Sequence, residues 1–338
     1  MTTTRRARQL DKAAGLSPRR RWATYSAVGL VPAVLATLAL VNPGVTVEQV
    51  ELNDGGVWLT YRNQQKLARY SSQVKELDGG LVAQGGNVFE VLQSGRDVVL
   101  VEPGALTLVD PAAVALTSAI EVVGTERVSV AGGSYAVTSA DGHVWAGRTT
   151  DLGALSLEPE SATLTLGAGA VAVATDAGDV VALDPATGTV HRGDLQDEAL
   201  TFAEDGTMKD AGEAVTAALA AAPNPPGGVD AMVGGIAQPV QAAAVGDQLV
   251  VLAGTTLFGD GWSSDVSGAG ADPVLQLTGP AHDAVLVATG TNLARIPSSG
   301  GDVELVAPGA TGAAAAPVVA RGCEYGAWST PTASYLRR

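Results

Sequence analysis

The sequence is poor in the residues that most catalytic and disulfide-stapled proteins rely on. Aromatic residues make up 4% of its 338 positions, with 3 histidines and 1 cysteine. The lone Cys323 excludes an internal disulfide framework. His143, His191 and His282 lie in separate stretches, and none stands in an H-x-x-x-H spacing. They read as surface or packing groups at strand ends, with no motif to support a metal site. No G-x-S-x-G elbow presents a nucleophilic serine. Gly85-Gly86 and Gly167-Ala168-Gly169 lack the strand, GxGxxG, helix setting of nucleotide binding, and no GK[ST] follows them. They are read as turn glycines, and no cofactor is expected.

What the chain does have is glycine, 42 residues of it, together with abundant alanine and valine. That mixture suits many short strands and turns better than long helices. The length allows one large domain or two ordinary ones. A net charge of −15 conceals a split. Arg5, Arg6, Arg8, Lys12, Arg19, Arg20 and Arg21 all precede the first apolar run, beside the single acid Asp11. Beyond Val41 the chain holds 34 acids against 13 bases, a balance of −21. An acidic body of this kind argues against nucleic acid or an anionic surface as its partner.

Residues 1–21 read as a disordered basic tail, and Trp22 to Val41 follows as 20 residues without a charge. At about 1.5 Å rise per residue such a run matches the hydrocarbon core of a bilayer. Basic residues on one side only satisfy the positive-inside rule, which puts the tail in the cytoplasm and residues 45–338 outside. Pro32 is tolerated in a membrane helix, and Asn42-Pro43-Gly44 ends the run. The expectation is a retained single-pass anchor at residues 22–41. Two alternatives stay open. A cleaved signal usually has an apolar region of roughly 7–15 residues and a small-x-small site; here the run is longer and Ala36 to Pro43 offers no clean site. The run is otherwise a core helix of the globular body. Ser17-Pro18-Arg19-Arg20-Arg21-Trp22 fits a twin-arginine export signal poorly.

From Val45 onward the apolar period is two, with Val45, Val47, Val50 and Leu52 leading into Asn53-Asp54-Gly55-Gly56. The clearest unit is Gly169 to His191. It predicts strands over Ala170–Thr175 and Asp179–Leu183, a tight turn at Asp176-Ala177-Gly178 and a second turn over Asp184–Gly188. Unit starts recur at Gly56, Gly95, Gly133, Gly169, Gly246, Asp283 and Gly322, with one more expected near Glu204-Asp205-Gly206 beside a strand over Ala199–Ala203. Gly95 and Gly169 are each followed fifteen residues later by Asp-Pro, at Asp110-Pro111 and Asp184-Pro185. A β-repeat near 38 residues is the mark of propeller blades, small sheets that cannot bury their faces alone. The fold class expected is therefore all-β, a β-propeller of about seven blades (six to eight) over residues 45–338, preceded by one transmembrane helix. An irregular pair of β-sandwiches is the competing architecture. Lys209 to Gln241 departs from the pattern, with a short helix over Ala211–Ala222 and a loop at Pro223 to Gly228, and reads as an insertion from one blade.

Asp260-Gly261-Trp262-Ser263-Ser264-Asp265 brings two carboxylates near main-chain carbonyls, so Asp260 and Asp265 are the calcium candidates, with a plain solvated turn as the commoner reading. No carboxylate pair for glycoside hydrolysis stands out, although a propeller can gather acids from several blades around one channel.

Val180 to His191 is similar to the quinoprotein-type propeller repeat in Ala182, Leu183, Asp184, Thr187 and Gly188. His191 stands where that repeat has its blade-docking tryptophan, so the likeness extends to shape and not to a quinone cofactor. A broader resemblance rests on the order of several short motifs. These are the basic tail and anchor, Asp54 to Thr60, Glu76 to Gly80, Ala244 to Asp247, and Gly322 to Ser329. Together they resemble the N-terminal region of actinobacterial fibronectin type III or Ig-like domain-containing surface proteins. Arginine outnumbers lysine 16 to 4, in keeping with a GC-rich coding sequence. The resemblance implies one membrane pass, an extracytoplasmic propeller-like region and β-sandwich modules further on. It also implies a cysteine beyond Arg338 that pairs with Cys323, so that either the propeller is incomplete at this chain's C-terminus or Cys323 is a free thiol in an oxidising compartment.

The function expected is a cell-surface binding or scaffolding module without catalysis, serving an extracellular protein or glycan ligand. One alternative is an extracellular polysaccharide-degrading glycosidase or lyase using channel-facing acids. The other is an envelope sensor or assembly subunit whose tail meets a cytoplasmic partner.

Overall fold

The computed structural model describes residues 56–337, apart from residues 62–63, 72–73, 87, 123–126, 196–199, 222–238, 309–311, 321 and 331–333. The tail 1–21, the run 22–41 and the period-two stretch 45–52 lie outside the described residues. Among the described residues, no helix is long and apolar enough to cross a membrane.

Residues 53–338 form one compact unit containing seven antiparallel sheets, a seven-bladed β-propeller. The first sheet is Gly56–Tyr61, Lys66–Ser71 and Glu76–Val82. The second to sixth each carry four strands and begin at Glu90–Ser94, Arg127–Ala131, Val171–Ala174, Val240–Val245 and Val274–Leu275. In the seventh, Cys323–Ser329 is the middle strand. Ala313–Ala314 and Val318–Ala320 pair successive halves of it, and Ser334–Arg337 pairs its second half.

Six apolar clusters fill the seams between consecutive sheets. The strand Asp97–Glu102 shows how. Val98 and Leu100 pack toward the first sheet, while Val99 and Val101 pack toward the third. Both faces are buried, so the strands nearest the seams read as unbroken apolar runs such as Val180–Leu183 instead of alternating. Alanine and valine supply most of the filling, which is why so few aromatics suffice. At full burial each Val or Leu contributes roughly 1.5–3 kcal/mol.

The hairpin expected at Ala170–Leu183 is found as Val171–Ala174 and Val180–Leu183. Its turn closes with Gly178 N–H donating to the Thr175 carbonyl. Asp184 organises the next corner, its carboxylate accepting from Ala186 N–H at 3.0 Å and from Thr187 Oγ1 at 3.1 Å.

The unit expected near Glu204-Asp205-Gly206 is not a blade. Thr201–Thr207 is the outer strand of the fourth sheet, and the helix Lys209–Ala221 follows it directly. The helix buries Ala211, Gly212 and Val215, and Ala211 and Val215 join Met208 in the cluster between the fourth and fifth sheets. It sits close because Gly212 and Gly188 lack side chains. A Cβ on Gly212 would lie 2.7 Å from the Pro185 carbonyl oxygen. The Asp-Pro spacing was also out of phase. Asp110 ends the third strand of the second sheet, whereas Asp184 follows the second strand of the fourth. One turn chemistry serves two different corners.

Candidate functional site

The inner strand of each sheet has one edge with no partner strand inside its own sheet, and neighbouring blades use polar side chains to satisfy it. Gln93 accepts from Trp58 N–H at 3.1 Å and donates to the Gly56 carbonyl at 2.8 Å. Ser129 Oγ accepts from Ala174 N–H, and Thr278 Oγ1 from Ala244 N–H. Gln241 bonds both Pro273 O and Leu275 N–H at 2.8 Å. Buried main-chain groups left unpaired would be costly, so these side chains are structural stitches.

Arginines make a second set of crossings. From the first sheet, Arg69 holds Asp78 and donates to Pro111 O. Arg148, ending the third strand of the third, donates to Leu195 O at 3.0 Å. Arg192, in the fourth, holds Asp205 at 2.7 Å and donates to Asp247 O at 2.8 Å in the fifth. Beside it Asp179 has its pKa raised, chiefly by burial and then by Asp194.

A cluster of charged side chains lies on the seam between the sixth and seventh sheets. His282, Asp283 and Glu324 bring ligand atoms within 4.8 Å of one another, a separation compatible with a metal ion. Arg295 already occupies this ground. Its Nη2 donates to Asp283 Oδ2 at 2.7 Å and its Nε to Glu324 Oε1 at 3.0 Å, with Glu304 at 3.8 Å. The guanidinium holds the Asp283 carboxyl below the usual aspartate range, first through its hydrogen bond, which burial opposes, and then by its charge. A cation here would compete with a fixed positive charge, so the cluster works as an ion-pair clasp between blades.

Of the calcium candidates, Asp260 lies in the exposed turn between Thr256–Gly259 and Trp262–Asp265. Asp265 ends the second of those strands, its oxygens accepting from Ser267 N–H at 2.9 Å and Ser267 Oγ at 2.8 Å. Cys323 opens the middle strand of the seventh sheet, half-buried, opposite Ala320. The three histidines do not converge. His143 stacks obliquely near Trp145, His191 lies in the fourth sheet and His282 joins the clasp.

No protein-family model matches the sequence, and no curated protein matches it. Solved β-propeller structures resemble it in fold. Streptogramin B lyase aligns at 10% identity over 81% of this chain and 87% of its own, with a TM-score of 0.44. BamB from Moraxella catarrhalis aligns at 11% identity over 81% of this chain and 76% of its own, with a TM-score of 0.43. Hsv2 from Kluyveromyces lactis aligns at 10% identity over 76% and 83%, with a TM-score of 0.46.

Sequence reasoning missed the seam arginines, because their partners lie 29 to 55 residues away. The available signal was composition: arginines scattered singly through an acidic body, each falling within or at the end of an apolar strand.

Proposed function

We propose that the chain is a single-pass, membrane-anchored extracytoplasmic propeller that serves as a binding or scaffolding module for a protein or glycan at the cell surface. The observation that carries the binding reading is how the blades are joined: polar side chains satisfy the inner edges, and Arg69, Arg192 and Arg295 each reach across to the next sheet. Stitched inner edges and apolar seams make a rigid frame, on which turns can vary without disturbing the core.

The anchor and the surface address rest on the charge split and the 20-residue uncharged run. The resemblance to fibronectin type III or Ig-like surface proteins supports the same address. Cell fractionation with external protease is the test. The expected product pellets with membranes, resists carbonate, is released by detergent, and loses its body to protease in intact cells. A soluble, protease-protected product would overturn the proposal. Intact mass measured on the same extract reports whether the gene product exceeds 33.9 kDa.

A further inference from the structure

Arg69, Arg148, Arg192 and Arg295 each spend their guanidinium on the next sheet. Arg127 does not. It opens the inner strand Arg127–Ala131 of the third sheet, opposite Thr138 on the neighbouring strand. Two residues on, Ser129 reaches Ala174 of the fourth sheet, so Arg127 shares that face of the strand. Ala136 packs into the seam between the third and fourth sheets, so Thr138 faces the same way. Both side chains carry a buried polar atom with no hydrogen-bond partner, Nη1 of Arg127 and Oγ1 of Thr138. No other described side chain does so. Arg127 as a residue is partly exposed, so the group is reachable from solvent while one end is sealed. Backbone bonds tighten this corner, Gly169 N–H to Ala140 O and Leu166 N–H to Gly142 O.

A buried guanidinium nitrogen left without a partner costs free energy. Scarcity of acids does not explain it, since the body carries 34 of them and pairs Arg69, Arg192 and Arg295 closely. Burial, with no acid opposing it, pulls the Arg127 pKa below its ordinary value.

We propose that Arg127 and Thr138 form an oxyanion subsite at the seam between the third and fourth sheets, which takes a carboxylate or phosphate group of the ligand. A guanidinium presents donors in a planar fork that matches both groups, and the hydroxyl adds one more donor beside it. The inference rests on the reading of the propeller as a binding module and supplies the chemistry of its ligand.

The test is thermal unfolding of the full chain in detergent at constant ionic strength, with chloride replaced stepwise by inorganic phosphate or by acetate. The parent midpoint is expected to rise and saturate with one of them, as for any ligand that binds only the folded state. Saturation by phosphate alone assigns a phosphate ligand, and by acetate a carboxylate. Arg127→Met abolishes the response and, by removing an unpaired charge, raises the midpoint in chloride. Thr138→Val weakens the apparent affinity several-fold, and it serves as the second probe if Arg127→Met does not fold. Glu126→Gln, the neighbouring acid outside the described residues, behaves as the parent. An anion response that survives Arg127→Met, that never saturates, or that first appears in Glu126→Gln overturns the proposal. The readout is independent of cell fractionation, so a cytoplasmic location with an intact anion response would sink only the surface reading.

Discussion

Trp328 donates its indole Nε1–H to the carbonyl oxygen of Thr289 at 2.6 Å, across the seam between the sixth and seventh sheets. The ring is 1% exposed and packs with Leu286, Ala288, Leu293 and Ala314. Trp328→Phe keeps most of the packing and leaves a buried carbonyl unpaired. The expected loss is about 1–3 kcal/mol, read as a lower urea midpoint with an unchanged m-value.

Gly212→Ala raises intrinsic helix propensity by about 1 kcal/mol. It also drives a methyl against the Pro185 carbonyl oxygen, which is backbone and cannot swing aside. Overpacking of that sort costs about 1–3 kcal/mol, so the variant is expected to be less stable than the parent. A higher midpoint in thermal unfolding would show that the helix can lift away freely.

Acid sensitivity follows from the Arg295 clasp. Asp283 has a folded-state pKa below its ordinary 3.8. Its contribution is therefore complete above that ordinary value and is lost as pH falls through the folded one. Asp283→Asn should flatten the acid limb of stability below about pH 4, measured as urea midpoints across the acid range. A limb as steep as the parent's would mean that Asp283 adds nothing to it.

Asp179 carries the opposite sign. Burial and the nearby Asp194 raise its pKa, so its ionised form is penalised in the folded state and stability is gained as pH falls toward the raised value. Asp179→Asn is expected to raise the midpoint at neutral pH and to change it little once the parent carboxyl is protonated. A fall at neutral pH would show that its long contact to Arg192, 3.8 Å, outweighs burial.

Calcium is expected to leave the unfolding midpoint unchanged, because both Asp265 oxygens already accept hydrogen bonds from Ser267. A saturable rise that disappears in Asp260→Asn would instead assign a site to Asp260 and Asp265.

The turns were legible and the phase was not. Asp176-Ala177-Gly178 and Asp184 to Gly188 announce themselves because aspartate oxygens and glycine's positive φ are local requirements. Gly95, Gly133, Gly246 and Gly322 each lie just past a sheet's inner strand, whereas Gly169 lies before one. A glycine count therefore gives the number of blades better than their boundaries. The helix Lys209–Ala221 was visible from its alanines, but not that it would replace an expected blade. Long-range pairings such as Arg295 with Glu324 leave no local trace at all.

The same helix has a consequence for how the ring is oriented. Seven similar blades offer any visiting molecule seven similar docking angles, a rotational ambiguity inherent in repeats. One helix wedged against a single pair of blades breaks that equivalence, as an index mark does on a dial. Whatever engages the ring beside Gly212 meets it at one setting only.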